Sequence, residues 1–174
     1  TITGNMDWFQ GFLSRFVSNL PPNLQKYARC ILDTRLSDSG RVDNLVEAIL
    51  LNSDVRSPEL FWSLMPYAWQ SDSETTDTQK QFWKYWGSLI AELNGPAAMF
   101  FSTRHYIGAR LDTNGFRPLR YGQTKSGVLF FGSELPDFIP FADYAYAPKR
   151  LGPGKGFVFN KDERTLYHDK AVSV

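Results

Sequence analysis

The sequence predicts an α+β domain with helices in its first half and antiparallel strands in its second. Three observations lead there. Apolar residues recur at helical spacing in the first half and fall into short runs flanked by turn residues in the second. The hairpin signals Lys125-Ser126-Gly127 and Lys161-Asp162-Glu163 both lie in the second half. Helical and strand signals are segregated rather than interleaved, which indicates a layered α+β domain rather than a parallel βαβ fold.

Trp8, Phe9, Phe12, Leu13 and Phe16 form the apolar face of a first helix, with Asn5 or Asp7 as its N-cap. A second helix is expected from about Pro22 to Leu32, because Pro suits a first helical turn. Val42, Leu45, Val46, Ile49 and Leu50 make a third stripe, on a helix starting near Val42. Ser57-Pro58-Glu59 opens a short helix that Pro66 should stop. Residues 71–78 are polar and aperiodic, and are expected to be a loop. Phe82, Trp86, Leu89, Ile90 and Leu93 mark a longer helix ended by Asn94-Gly95-Pro96. Strands are then expected at Ala97–Phe101 and Tyr106–Leu111, joined by a turn at Ser102–His105. Two more pairs follow: Leu119–Thr124 with Val128–Gly132, and Gly156–Asn160 with Arg164–Tyr167.

A length of 174 residues suits one domain or a large part of one. The chain is 43% hydrophobic and 21% charged, ordinary for a globular protein, and its 16% aromatic content predicts a core built on large rings. A net charge of +1 with no basic stripe argues against nucleic acid as a partner. No apolar run approaches the roughly 18 residues of a membrane span, and no signal-peptide pattern is expected at the start. The single cysteine, Cys30, rules out an internal disulfide and fits a reducing compartment, cytoplasmic or inside an organelle, rather than secretion.

Several segments invite a functional reading, each with a plainer alternative. Ser37-Asp38-Ser39 is either an N-cap cluster satisfying orphan helix N–H groups or a place where a carboxylate binds an ammonium group. Asp112–Tyr121 is either a strand-turn-strand whose Asp and Asn satisfy backbone groups, with Gly115 at positive φ, or a rigid shelf beside an active site. Pro148–Gly154 is a basic, Gly-rich loop that matches no phosphate-binding fingerprint, so it reads as a structural lead into the next strand. Cys30 has no base near it in sequence and reads as a buried structural thiol. The two histidines have no metal-ligand spacing, so no metal site is expected. Thr1 could act as a nucleophile only through its own α-amine, and is expected to carry no chemistry.

The segment Asp112-Thr113-Asn114-Gly115-Phe116-Arg117-Pro118-Leu119-Arg120-Tyr121 resembles the Asp-x-Asn-Gly-Leu-Arg-Pro-x-Arg-Tyr signature of the glutamine amidotransferase domain of glutamate synthases. Further stretches are similar to the same family in the same order. They are Thr1–Trp8, Ser37-Asp38-Ser39 with Asp43-Asn44, Pro66–Gln70, Asn94–Ala98, Ser133-Glu134 and Arg150–Gly154. The resemblance runs from Thr1 to about His168. Departures include Tyr67 and Asn94 for acids, Thr113 and Phe116 for Arg and Leu, and Pro148-Lys149 for Lys-Gly. They mark a divergent member.

The resemblance implies part of an N-terminal-nucleophile hydrolase fold, an αββα sandwich, with residues 1–174 as a single partial domain. In that family an N-terminal Cys attacks the glutamine amide, its α-amine is the base, and an Asn-Gly pair helps form the oxyanion hole. These residues are expected outside the chain, leaving no catalytic residue within it and no activity for the chain alone. Asp38 matches the residue that binds the α-amino group of glutamine. Asp112, Arg117 and Arg120 match positions expected to support the site. The implied function is glutamine hydrolysis to glutamate and ammonia for a glutamate-synthase-type reaction. The alternative is a non-catalytic scaffold, in which the aromatics of Tyr67–Trp69 and Phe82–Trp86 form a protein interface. Implied partners are the N-terminal part of the same domain, or an associated chain, and a synthase domain or larger complex. No cofactor is expected here; flavin and an iron–sulfur cluster would belong to associated synthase domains. A sheet lacking its complement would also leave unpaired edges.

Overall fold

A computed structural model describes residues 6–19, 21–26, 33, 35–89, 93 and 95–168. Helices come first: α1 (Met6–Ser18), α2 (Pro22–Gln25), α3 (Asp38–Asn52), α4 (Ser57–Leu64) and α5 (Asp77–Leu89). The strands follow as β1 (Ala98–Ser102), β2 (Tyr106–Leu111), β3 (Arg120–Gln123), β4 (Leu129–Gly132), β5 (Lys149–Arg150), β6 (Gly156–Asn160) and β7 (Thr165–His168). They make two antiparallel sheets, one of order β1-β2-β6-β7 and one of order β4-β3-β5. The fold is therefore α+β, with the helical and strand halves segregated along the chain.

Alternation along the strands builds the layers. Met99, Phe101, Tyr106, Val158 and Tyr167 face the helices, where they meet Leu13, Val42, Leu45, Ile49, Leu60, Trp62 and Trp83. Ala98, Ala109, Leu111, Phe157 and Leu166 face the second sheet and pack with Leu119, Tyr121, Phe131 and Leu151. Ring contacts join the sheets: Phe100 stacks on Phe131 at 5.7 Å, and Phe131 meets Phe157 edge-on at 5.1 Å. The order of layers is thus helices, four-stranded sheet, three-stranded sheet. Glycine at 156 lets α4 approach. A Cβ there would lie 2.7 Å from Cζ2 of Trp62, a side chain only 1% exposed.

Where element boundaries differ from the sequence reading, capping explains them. α3 begins at Asp38 rather than near Val42, because Ser37 is its N-cap and accepts a hydrogen bond from the Gly40 N–H at 3.3 Å. The loop expected over 71–78 ends early, and α5 starts at Asp77. Thr76 and Gln79 form a reciprocal capping box: the Thr76 N–H donates to Gln79 Oε1 at 3.0 Å, and the Gln79 N–H donates to Thr76 Oγ1 at 3.3 Å. β5 lies inside the segment read as a loop, where two residues are too few for a periodic signal. α2 runs over Pro22–Gln25 and Lys26 is already a turn; residues 27–32 of the helix expected to Leu32, and Asn5, lie outside the described residues.

Of the aromatics read as a possible interface, Trp83 belongs to the core, and Tyr67, Trp69, Phe82 and Trp86 are partly buried against it. Trp83 is 3% exposed and meets Tyr67 at 5.6 Å and Phe82 at 5.0 Å, while Tyr85 is 60% exposed. At the sheet margin, Ala97 O accepts from Asp112 N–H at 3.0 Å and Thr103 N–H donates to Tyr106 O at 2.8 Å, so both point toward β2. Alternation therefore turns the backbone groups of Ala98, Phe100 and Ser102 outward, along an edge that pairs with no other strand among the described residues.

Candidate functional site

A cleft of about 970 Å³ lies between α3 and this outer edge of β1. Its size is typical of ligand-binding clefts. One wall is the inner face of α3, from Ser37, Ser39 and Gly40 through Val42, Asp43 and Val46 to Leu50. The other is β1 and its flanks, Ala97–Arg104. Val46, Phe61 and Phe101 make an apolar floor, whereas Asp43 and Glu47 supply carboxylates and Arg104 a cation at the rim. Such a lining suits a small zwitterion or an extended polar chain with an apolar stem.

Asp38 opens α3 between Ser37 and Ser39, whose hydroxyls lie 3.1 Å apart. Asp38 is half-buried and is the acid of the first turn, where the helix N-terminus favours a negative charge. Its two serine neighbours, Ser37 and Ser39, line the cleft, and Asp38 is not among the lining residues.

A second feature precedes α3. Arg35 donates to both carboxylate oxygens of Asp33, at 2.9 and 2.8 Å, and its backbone N–H donates as well. These bonds hold the Asp33 carboxyl at about 2, below its ordinary 3.8. The sign follows from the depressed value: the interaction is present above the ordinary pKa and is lost as pH falls through about 2. An NMR titration of the Asp33 carboxyl should show that low midpoint, and Arg35→Ala should return it toward 3.8. An unchanged midpoint in the variant would mean that Arg35 is not the cause.

Asp112 directly follows β2 and is 3% exposed. Its carboxylate accepts from the N–H groups of Ala97 at 3.2 Å, Asn114 at 3.2 Å and Phe116 at 3.4 Å. Its carbonyl accepts from Gly115 N–H at 2.9 Å and Gly154 N–H at 2.8 Å. One residue thus fastens three pieces of chain: the approach to β1, the turn after β2 and the loop before β6. Gly115 sits at φ 63°, which suits a residue without Cβ. Thr113 adds a hydrogen bond to Pro66 O at 2.7 Å, tying the turn to the segment after α4. Because Ala97 lines the cleft, Asp112 acts on it through the backbone. Arg117 and Arg120 are exposed, and neither lines the cleft. Cys30 and Thr1 lie outside the described residues.

Sequence reading missed Arg110. It is 1% exposed on β2, donates from Nε to Met65 O, and lies over the rings of Trp62 at 4.8 Å and Trp83 at 5.8 Å. The available signal was an Arg on the helix-facing register of a strand whose neighbours are small or apolar. Among the described residues, no group of three His, Cys, Asp or Glu side chains could hold a metal. No helix among them is long and apolar enough to cross a membrane.

Comparison with known proteins agrees with the ordered motifs. Residues 1–174 match the family model of the glutamine amidotransferases class-II. The chain is 31% identical over 174 residues to the glutamate synthase (NADPH) large chain of Bacillus subtilis, which covers 99% of this chain and 11% of that one. It is 29% identical over 181 residues to the glutamate synthase (NADH) of Schizosaccharomyces pombe, covering 99% of this chain and 8% of that one. It is 31% identical over 170 residues to the ferredoxin-dependent glutamate synthase of Cyanidium caldarium, covering 95% and 11%. The chain thus spans about a tenth of the length of these relatives.

Proposed function

Because this chain belongs to the class-II glutamine amidotransferases, we propose that it forms part of a glutaminase domain. That domain hydrolyses glutamine to glutamate and ammonia for a glutamate-synthase-type reaction. The observation that supports the reading best is the family match over residues 1–174, together with the two serines that flank Asp38, which line the cleft.

In this reading Asp38 holds the α-amino group of glutamine. The helix N-terminus keeps the carboxylate ionised, and an ammonium–carboxylate hydrogen bond gives strength and direction. Asp112 holds the cleft wall in place through Ala97. Polypeptide outside these residues supplies the cysteine nucleophile and the oxyanion hole, and the associated synthase domains hold flavin and an iron–sulfur cluster. The chain alone then has no glutaminase activity.

The test is glutamine binding by this chain together with the polypeptide that carries the cysteine. Asp38→Ala should weaken glutamine binding by about 10- to 100-fold, the loss expected for a charge-assisted bond. Unchanged affinity would overturn the role given to Asp38. Tight glutamine binding with no release of ammonia would favour the non-catalytic scaffold.

A further inference from the structure

We propose that Arg120 and Arg150 together bind an oxyanion, a carboxylate or a phosphate, on the outer face of the three-stranded sheet. The inference is independent of the amidotransferase reading. Tyr121 packs against Phe157 between the sheets at 5.2 Å, so its neighbour Arg120 points to the opposite, outer face. Arg150 is Arg120's direct partner across β3 and β5 and shares that face.

The kind of pairing matters. Leu151 N–H donates to Leu119 O at 2.8 Å, which brackets Arg120 and Arg150 as a non-hydrogen-bonded antiparallel pair. In such pairs the Cα atoms are only about 4.5 Å apart and the side chains run close together. Like charges placed directly opposite each other repel. Among the described residues neither Arg120 nor Arg150 is in an ion pair with a carboxylate. On its other flank Arg120 faces Gly132, which has no side chain to cover it.

Both guanidinium groups are exposed, and together they offer up to ten N–H donors, five per fork. A single oxyanion between them would remove the repulsion and accept from both. Farther along this face Phe130 and Pro148 lie over Gly122, and Phe130 meets Tyr144 at 5.2 Å.

Thermal unfolding of the full chain tests this. Inorganic phosphate and N-acetyl-glutamic acid α-amide, whose only carboxylate is the side chain's, are compared with chloride at matched ionic strength. At about tenfold above its Kd, at least one of them should raise Tm by roughly 3 °C. Arg120→Gln and Arg150→Gln should each abolish the shift, and Lys125→Gln should keep it. In chloride, either arginine variant should melt at or above the wild-type temperature, because it removes the repulsion. A response to phosphate alone identifies a phosphate group as the ligand, and a response to the blocked glutamate alone identifies a protein carboxylate. No response to either, or a shift that persists in both arginine variants, overturns the proposal.

Discussion

Replacing Asp112 with Ala should destabilise the chain by about 4 kcal/mol, the largest loss expected from removing a single polar group here. The carboxylate is buried and accepts three backbone N–H groups, from Ala97, Asn114 and Phe116. Alanine removes every acceptor at once and leaves those donors without their partner, the costly half of a broken hydrogen bond. For a chain of this size the fall in Tm should be roughly 12 °C. Asp112→Asn keeps one acceptor oxygen and should lose about half as much. Urea melts of the three proteins provide the comparison. A loss below about 1 kcal/mol for the Ala variant would mean that water replaces the carboxylate, and the view of Asp112 as the fastener of β1, β2 and the loop before β6 would fail. Amide exchange should report the same event locally, with faster exchange at Ala97, Asn114 and Phe116 in the variant.

The second large effect is steric. Gly156→Ala should destabilise by about 3 kcal/mol although it adds one methyl group. The new Cβ would lie 2.7 Å from Cζ2 of Trp62 and 2.9 Å from the Ala109 carbonyl oxygen. Neither neighbour yields easily: Trp62 is fully buried and the carbonyl belongs to a central strand. Alanine also restricts the unfolded chain, which offsets only about 0.4–1 kcal/mol. Trp62→Phe removes the part of the indole that collides, so the double variant should lose clearly less than the sum of the two single changes. Strict additivity would show that the clash is relieved elsewhere, and that Gly156 does not set the distance between α4 and the sheet.

Much of the architecture was legible because it is local. The stripe from Val42 to Leu50 became the buried face of α3, and Tyr106–Leu111 became β2 with the bounds read from sequence. The errors were also local in origin. Thr76 and Gln79 have capping-box spacing that polar composition concealed, and β5 is too short to show a period. Arg110 was missed for a different reason. A strand pattern shows which face a residue takes, but not that two tryptophans from α4 and α5 will close over it.

For the site, the sequence marked Asp38 and the Asp112–Tyr121 segment, and the fold separated their surroundings. Asp38 opens α3 without lining the cleft, Asp112 acts on the cleft through Ala97, and Arg120 lies on the outer face of the other sheet. Motif order placed them in one family without indicating which of them share a surface.

The sequence by itself determined the class of fold, the order of its elements and the family, since all three reside in spacing and contiguous motifs. Only the tertiary structure decided which residues meet: Asp112 with Ala97, Trp62 with Gly156, Arg120 with Arg150. The physical reason is that these contacts depend on strand register and on how closely layers approach. Both are settled by packing between segments distant in the chain, and local spacing does not encode them.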